Sequence, residues 1–220
     1  MMKKIKLFIF DMDGLLVDSE RFYSAGWKIA MESLGYELPD SIYDSWIGQG
    51  KKKTMSMIKD IVKEDAIVDA IVNQREVYIY DALHSGEMTE LAHASKSLEL
   101  LKNKGYLLGV SSSTERGRGT AILEFLNLYQ YIDFASFGDD VSAVKPSPEV
   151  YQRTLDLAGV EPHEAIAVED SYTGALSAAA AGMKVIVVPY VTFEVDKIRN
   201  IENVLVIADD LSIIKEYAAN

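Results

Sequence analysis

Short apolar runs recur along the 220-residue chain at residues 5–10, 106–110, 133–137, 165–168, 185–188 and 204–207, and they are flanked by stretches of helical period. The runs are continuously apolar and lack the in-out alternation of a half-exposed strand, so both faces of each must be covered. Helical patterns at 95–104, 120–126, 148–158 and 173–181 supply the covering, with Gly105, Gly159 and Gly182 where C-terminal caps belong. Strand alternating with helix predicts an α/β fold, a Rossmann-like doubly wound parallel sheet. A hydrophobic content of 49% is enough to fill such a core.

From residue 19 to 86 the alternation stops. That stretch holds amphipathic helical patterns at 21–34, 52–62 and 66–83, punctuated by Gly35, Pro39 and Gly48-Gln49-Gly50, and it has no strand pattern. An all-helical insertion placed straight after the first strand would hang over the carboxyl edge of the sheet as a lid. The expected division is an α/β core of residues 1–16 and 88–220 and a helical cap of residues 17–87.

Charge and composition narrow the partners. With 22 basic and 34 acidic residues the net charge is −12, which argues against nucleic acid or an anionic membrane, since both need a basic face. A small phosphorylated metabolite is still compatible, because local cations decide that binding. There is no cysteine, so disulfides, thiol catalysis and zinc–thiolate sites are excluded. The apolar run after Met1-Met2-Lys3-Lys4 ends at Asp11, short of the roughly 7–15 residues of a secretory h-region. No stretch approaches the roughly 18 apolar residues of a membrane span. The expectation is a soluble, cytoplasmic protein, monomeric by default.

Asp11-Met12-Asp13-Gly14 follows the first apolar run directly. Residues i and i+2 of an extended chain point the same way, so the two carboxylates leave the strand end together, and Gly14 allows a tight turn away from them. Paired carboxylates at a buried strand end are costly unless a cation is there. The economical reading is a metal-assisted centre in which one carboxylate attacks and the other moves a proton. Other polar groups share that edge. Ser111-Ser112-Ser113 follows the second run, Lys145-Pro146 follows the third, and Glu169-Asp170 follows the fourth. Ligands bind at this edge in open α/β sheets.

Together these segments resemble the haloacid dehalogenase superfamily, in its phosphatase and β-phosphoglucomutase-like branch. The matching pieces are Asp11-Met12-Asp13-Gly14-Leu15-Leu16-Val17-Asp18-Ser19-Glu20, Val110-Ser111-Ser112-Ser113, Lys145-Pro146-Ser147-Pro148 and Val168-Glu169-Asp170-Ser171-Tyr172-Thr173-Gly174, then Ala178 to Met183. The resemblance implies Asp11 as the nucleophile that forms an aspartyl-phosphate. It implies Asp13 as general acid and base, with its backbone carbonyl on Mg²⁺. Asp170 would complete the metal site, and Glu169 would ligate the metal or orient from beside it. Ser111, Ser112 and Lys145 would hold the phosphoryl oxygens. In the cap, Glu20, Tyr23 and Lys51 are candidate substrate contacts.

The residue types suit phosphoryl transfer, whose spread-out charge is met by positioned cations. Mg²⁺ takes oxygen ligands, usually one or two protein carboxylates plus waters and substrate. The branch's mutases carry a histidine on the first cap helix and an arginine in the cap turn; here Tyr23 and Lys51 stand there. That favours a Mg²⁺-dependent phosphatase acting on a small sugar-phosphate-like metabolite, with a sugar-phosphate mutase as runner-up and a non-catalytic phosphate sensor or scaffold as a remote alternative. Arg21 and Ala92-His93 replace a proline and a Pro-Gly pair common in the branch.

Plainer readings of several of these segments exist. A calcium loop beginning at Asp11 fails, because its sixth and twelfth positions are Leu16 and Phe22. A nucleotide-binding P-loop ending at Lys51 fails as well: position 45 is Ser45, and Lys52 stands where a hydroxyl residue is required. Gly117-Arg118-Gly119 reads as a loop. The serine run and Glu169-Asp170 double as helix-cap candidates. His84, His93 and His163 read as surface residues, and Phe22, Tyr23, Trp27, Met55 and Met57 as packing of the helical segment.

Overall fold

The structure is a computed structural model that describes residues 4–47 and 50–218. It divides into two compact units, one formed by the chain up to Val17 and from Glu90 onwards, the other by Asp18–Thr89. Gly48 and Gln49, part of the rejected phosphate-loop pattern, lie outside the described residues.

In chain order the elements are β1 (Leu7–Phe10), α1 (Glu20–Ser33), α2 (Asp40–Asp44), α3 (Lys51–Val62), α4 (Asp65–His84) and α5 (Ala94–Asn103). Then come β2 (Leu107–Ser111), α6 (Arg116–Phe125), β3 (Phe134–Ser136), α7 (Glu149–Ala158), β4 (Ala165–Glu169) and α8 (Tyr172–Ala180). The chain continues through β5 (Lys184–Val187), α9 (Val195–Ile198), β6 (Val204–Ile207) and α10 (Ile214–Tyr217).

Among the described residues, all of the strands belong to the first unit and form one six-stranded sheet in the order β3-β2-β1-β4-β5-β6, with every pairing parallel. This is the doubly wound α/β arrangement that the apolar runs predict. Residues of β1 and β4 are buried throughout, as strands covered on both faces must be. Leu7, Ile9, Tyr151, Leu155, Ala167, Ala175, Val185 and Val187 join one core cluster. Each large apolar side chain in it contributes about 1.5–3 kcal/mol over an exposed one. The chain runs outward from β1 to β3, returns to β4 on the other side of β1, and runs outward again. β1 and β4 therefore border the point where the strand order reverses, which is where such sheets bind ligands.

Register carries this to single residues. Phe10 stands opposite Val110 and Val168, so Asp11 leaves the sheet level with Ser111 and Glu169. Gly14, at φ 79°, turns the chain, and Leu16 and Val17 donate their N–H groups back to the Met12 carbonyl at 3.0 Å.

Helices α6 and α8 begin differently from the sequence reading. Gly117-Arg118-Gly119 is not a loop but the first turn of α6. A Cβ on Gly119 would come within 2.3 Å of the Phe137 ring, so close packing, not a turn, accounts for that glycine. Arg116 anchors the same turn, accepting no freedom: its N–H donates to Asp139 at 2.8 Å and its guanidinium pairs with Asp140. The cap of α6 is Glu115 rather than a serine of the 111–113 run, and α8 is capped by Ser171, whose hydroxyl accepts from the Gly174 N–H at 3.1 Å, not by Glu169 or Asp170.

The second unit is helical. Its core joins Trp27, Ala30, Met31, Tyr43, Trp46, Ile58, Val62, Val68 and Ile71, with Met55 and Met57 packed against it. The short helix α2 has no counterpart in the sequence reading; a five-residue segment is too short to show a period. Among the described residues, no helix is long and apolar enough to cross a membrane. His84, His93 and His163 are exposed.

Candidate active site

Four segments of the first unit bring polar side chains to the reversal point. Asp11 extends β1, and its N–H donates to the Val168 carbonyl at 2.9 Å. Glu169 ends β4 and Asp170 follows it. Asp11 and Asp170 are buried, and Glu169 is entirely so. One carboxylate oxygen from each of these three residues lies within 4.8 Å of the others.

Lys145 is the cation among them. Its ammonium pairs with Asp11 Oδ1 and donates to Glu169 Oε1 at 2.7 Å, while the side chain is only 7% exposed. The segment carrying it is braced at both ends. Glu149 accepts from the N–H groups of Ser142 and Ala143 and from the Ser147 hydroxyl, and Ser177 of α8 donates to the Ser147 carbonyl at 2.6 Å. The Lys145–Pro146 peptide is cis.

Asp13 lies beside this group with a different set of partners. Its Oδ2 accepts from the Ser112 hydroxyl at 3.1 Å and from the Thr114 hydroxyl at 2.9 Å. Ser112 in turn accepts from the Thr114 N–H at 3.0 Å, which fixes its orientation. Thr114 is not among the sequence candidates, although a second hydroxyl two residues beyond Ser112 is a signal for it.

Ser111 is not brought to the carboxylates. Its hydroxyl pairs with Thr154 at 2.8 Å and with the Val150 carbonyl at 3.3 Å, fully buried under α7. The cause is packing at β2. Gly109 has no side chain, and a Cβ there would lie 2.7 Å from Thr154 Cγ2, so α7 settles against the strand and covers Ser111. The serine that meets the site is the next one, Ser112, where the chain has left the strand.

Burial and charge act on both members of the Asp11–Lys145 pair. Burial pushes the Asp11 carboxyl up to about 8; Lys145 pulls against that, and Glu169 and Asp13 add to it. Burial also opposes the Lys145 charge, but Asp11 and Glu169 outweigh it and raise the ammonium above lysine's usual range. The cluster thus holds more negative charge than its lysine balances, and its donors are hard oxygens in a space shut off from water. That combination fits a divalent cation of the oxygen-seeking kind.

In the helical unit, Glu20, Tyr23 and Lys51 line one cavity of about 50 Å³ together with Trp27, Trp46 and Arg75. Arg75, buried, lies 4.3 Å from the Trp27 ring centre and 5.0 Å from that of Tyr23. Lys51 pairs with Glu76 at 3.2 Å. Of the aromatic residues read as packing, Phe22 is buried and Trp27 joins the core, whereas Tyr23 borders the cavity.

A doubly wound parallel sheet with a lysine-paired aspartate at its reversal point defines a class of α/β enzymes built on a buried carboxylate cluster. Residues 8–188 match the model of the haloacid dehalogenase-like hydrolases, and the chain belongs to that family. The phosphorylated carbohydrates phosphatase of Thermotoga maritima is 28% identical over 178 residues, covering 80% of this chain and 81% of the relative. Hexitol phosphatase B of Escherichia coli is 30% identical over 200 residues, 85% of each chain. Among solved structures, CbbY from Rhodobacter sphaeroides in complex with phosphate matches with a TM-score of 0.79 at 22% identity, over 94% of this chain and 95% of that one. At that identity the likeness speaks for the fold alone.

Proposed function

We propose that this hydrolase is a Mg²⁺-dependent phosphatase of small phosphorylated carbohydrates that works through an aspartyl-phosphate. The observation that carries the reading is the buried pairing of Asp11 with Lys145 inside the carboxylate cluster. A carboxylate approaches an anionic phosphoryl group only if cations neutralise the charge between them. Lys145 is one such cation. Asp11, Asp170 and the Asp13 carbonyl would hold Mg²⁺, which supplies the second positive charge and screens the phosphoryl oxygens.

Asp11 attacks phosphorus, an oxygen–phosphorus bond forms, and the ester bond breaks. Asp13 gives the departing alkoxide its proton. It then takes a proton from water as that water attacks the same phosphorus and releases Asp11 and inorganic phosphate. Ser112 and Thr114 hold the Asp13 carboxyl for this work, and Ser112 with Lys145 holds the phosphoryl oxygens. Selection among esters is assigned to the cavity of the helical unit, where Glu20, Tyr23 and Lys51 offer charge and hydrogen bonds. Both curated relatives are phosphatases of carbohydrate-type phosphates by name, which supports the substrate class.

The test is turnover. Wild-type protein should release phosphate from p-nitrophenyl phosphate with Mg²⁺ and lose this with chelator, and Asp11→Asn should abolish it. Full activity in Asp11→Asn overturns the nucleophile assignment. Steady conversion of β-glucose 1-phosphate to glucose 6-phosphate, primed by the bisphosphate, would replace phosphatase by mutase.

A further inference from the structure

α7 sends one polar side chain into the carboxylate cluster that neither the nucleophilic nor the proton-transfer step uses. Tyr151 is fully buried. Its hydroxyl donates to Glu169 Oε1 at 2.5 Å, and this is the same oxygen that Lys145 reaches at 2.7 Å. The Lys145 ammonium also lies 5.0 Å from the centre of the Tyr151 ring. One phenol therefore touches both members of the Lys145–Glu169 pair.

The other side of Glu169 is equally confined. Oε2 accepts from the Asp170 N–H at 3.2 Å and from the Ser171 hydroxyl at 3.5 Å. Gly174 closes the space behind it, since a Cβ there would sit 2.0 Å from Oε2. Glu169 is thus held by four donors from this chain, which is the arrangement of an orienting group. Three of them bear on how the carboxylate is set; the fourth, Lys145, is what the carboxylate sets.

We propose that Tyr151 is a positioning residue: its hydroxyl fixes the Glu169 carboxylate, and Glu169 in turn aims Lys145 at Asp11 and at the phosphoryl group Asp11 receives. Phenylalanine at this position would keep the volume and the ring beside Lys145 but leave Oε1 with a single donor. Glu169 and Lys145 could then move together, away from the line of attack. A hydrophobic core role alone would be served equally well by phenylalanine, so the hydroxyl is the part to be tested. The inference rests on the phosphatase reading.

The experiment compares wild type, Tyr151→Phe, Glu169→Gln and the double variant in two ways. The first is Mg²⁺-dependent hydrolysis of p-nitrophenyl phosphate. The second is calorimetric binding of orthovanadate with Mg²⁺, which needs no turnover. Tyr151→Phe should melt within a few degrees of wild type, lower kcat by about tenfold with KM changed less than about twofold, and weaken vanadate by about tenfold, as expected for one charge-assisted hydrogen bond. On the Glu169→Gln background the same change should alter vanadate affinity less than about twofold, because a residue acting through Glu169 has nothing left to act on. Wild-type kcat and vanadate affinity in Tyr151→Phe, or equal losses on both backgrounds, overturns the proposal. A wild type that binds vanadate but releases no phosphate removes the phosphatase reading and leaves the Tyr151 comparison to be decided by calorimetry. A wild type that binds no vanadate overturns both.

Discussion

Gly174 contributes no functional group, yet the position of Glu169 depends on it. Alanine in the first turn of a helix ordinarily helps by up to about 1 kcal/mol. Here its methyl would fall 2.0 Å from Glu169 Oε2 and 2.1 Å from Cδ, so either the carboxylate or the start of α8 must shift. Gly174→Ala is expected to lose about 1–3 kcal/mol of stability and most of the activity, read by thermal melting and phosphate release. A variant as active and stable as wild type would show that the contact relaxes freely. Asp11 behaves in the opposite sense. Its carboxyl is raised from 3.8 to about 8, so between those values the folded state holds a proton that the unfolded chain has released. Stability of the cation-free protein therefore falls as pH rises through that window. Asp11→Asn removes the loss. In chelator it should melt above wild type, by a margin that grows from about pH 5 to about pH 8. A constant or reversed margin would contradict the sign.

At the scale of elements, α6 shows how a fold places a segment whose local sequence argues against it. Two glycines in its first turn carry low helix propensity. Arg116 compensates, donating to Asp140 Oδ1 at 3.2 Å and to the Ala135 carbonyl at 3.2 Å, and lying 5.0 Å from the Phe137 ring centre. Burial works to raise the Asp140 carboxyl, but the Arg116 hydrogen bond, the Phe137 N–H and the Arg116 charge outweigh it and hold the pKa below the ordinary value. A lowered carboxylate stabilises above its unfolded pKa and loses that contribution as pH falls through the folded one. Asp140→Asn should therefore cost on the order of 1 kcal/mol near neutral pH, the pair being partly exposed, and little once the Asp140 carboxyl of the folded protein is protonated. Melting curves of both proteins from neutral pH down to below about pH 3.8 check this. A loss that persists in acid would place the effect in packing instead.

For the molecule as a whole, the proposed function would let the excess charge of the carboxylate cluster couple folding to cation binding. A ligand that binds only the native state stabilises by about 2.7 kcal/mol at one hundred times its Kd. For a chain of this size that is a rise of about 5–10 °C in melting temperature. Mg²⁺ should produce it in wild type, and Asp170→Asn should lose most of it. An unchanged response in that variant would remove Asp170 from the cation site.

Much of this was legible in the chain itself. A strand buried on both faces must be continuously apolar, so the β1 and β4 runs announced a parallel sheet, and Asp11, Asp13 and Asp170 could be placed just past strand ends by counting, whereas Lys145, in the loop well beyond the end of β3 at Ser136, stood out through the family resemblance. Gly105, Gly159 and Gly182 all take positive φ where helices stop, as their positions required. Local order along the chain carries that information. What it does not carry is which of two neighbouring side chains a packed helix will cover. Ser111 and Ser112 are equivalent as letters, and only the approach of α7 over Gly109 turned the first to Thr154 and left the second to Asp13. The same helix brought Tyr151, which reads as one more core aromatic, onto Glu169. Periodicity and strand-end spacing are local, so the order of residues was enough to specify the sheet and the carboxylates at its edge. The tertiary structure alone decided which hydroxyls meet them, because that depends on contacts between residues tens of positions apart, set by close packing rather than by pattern.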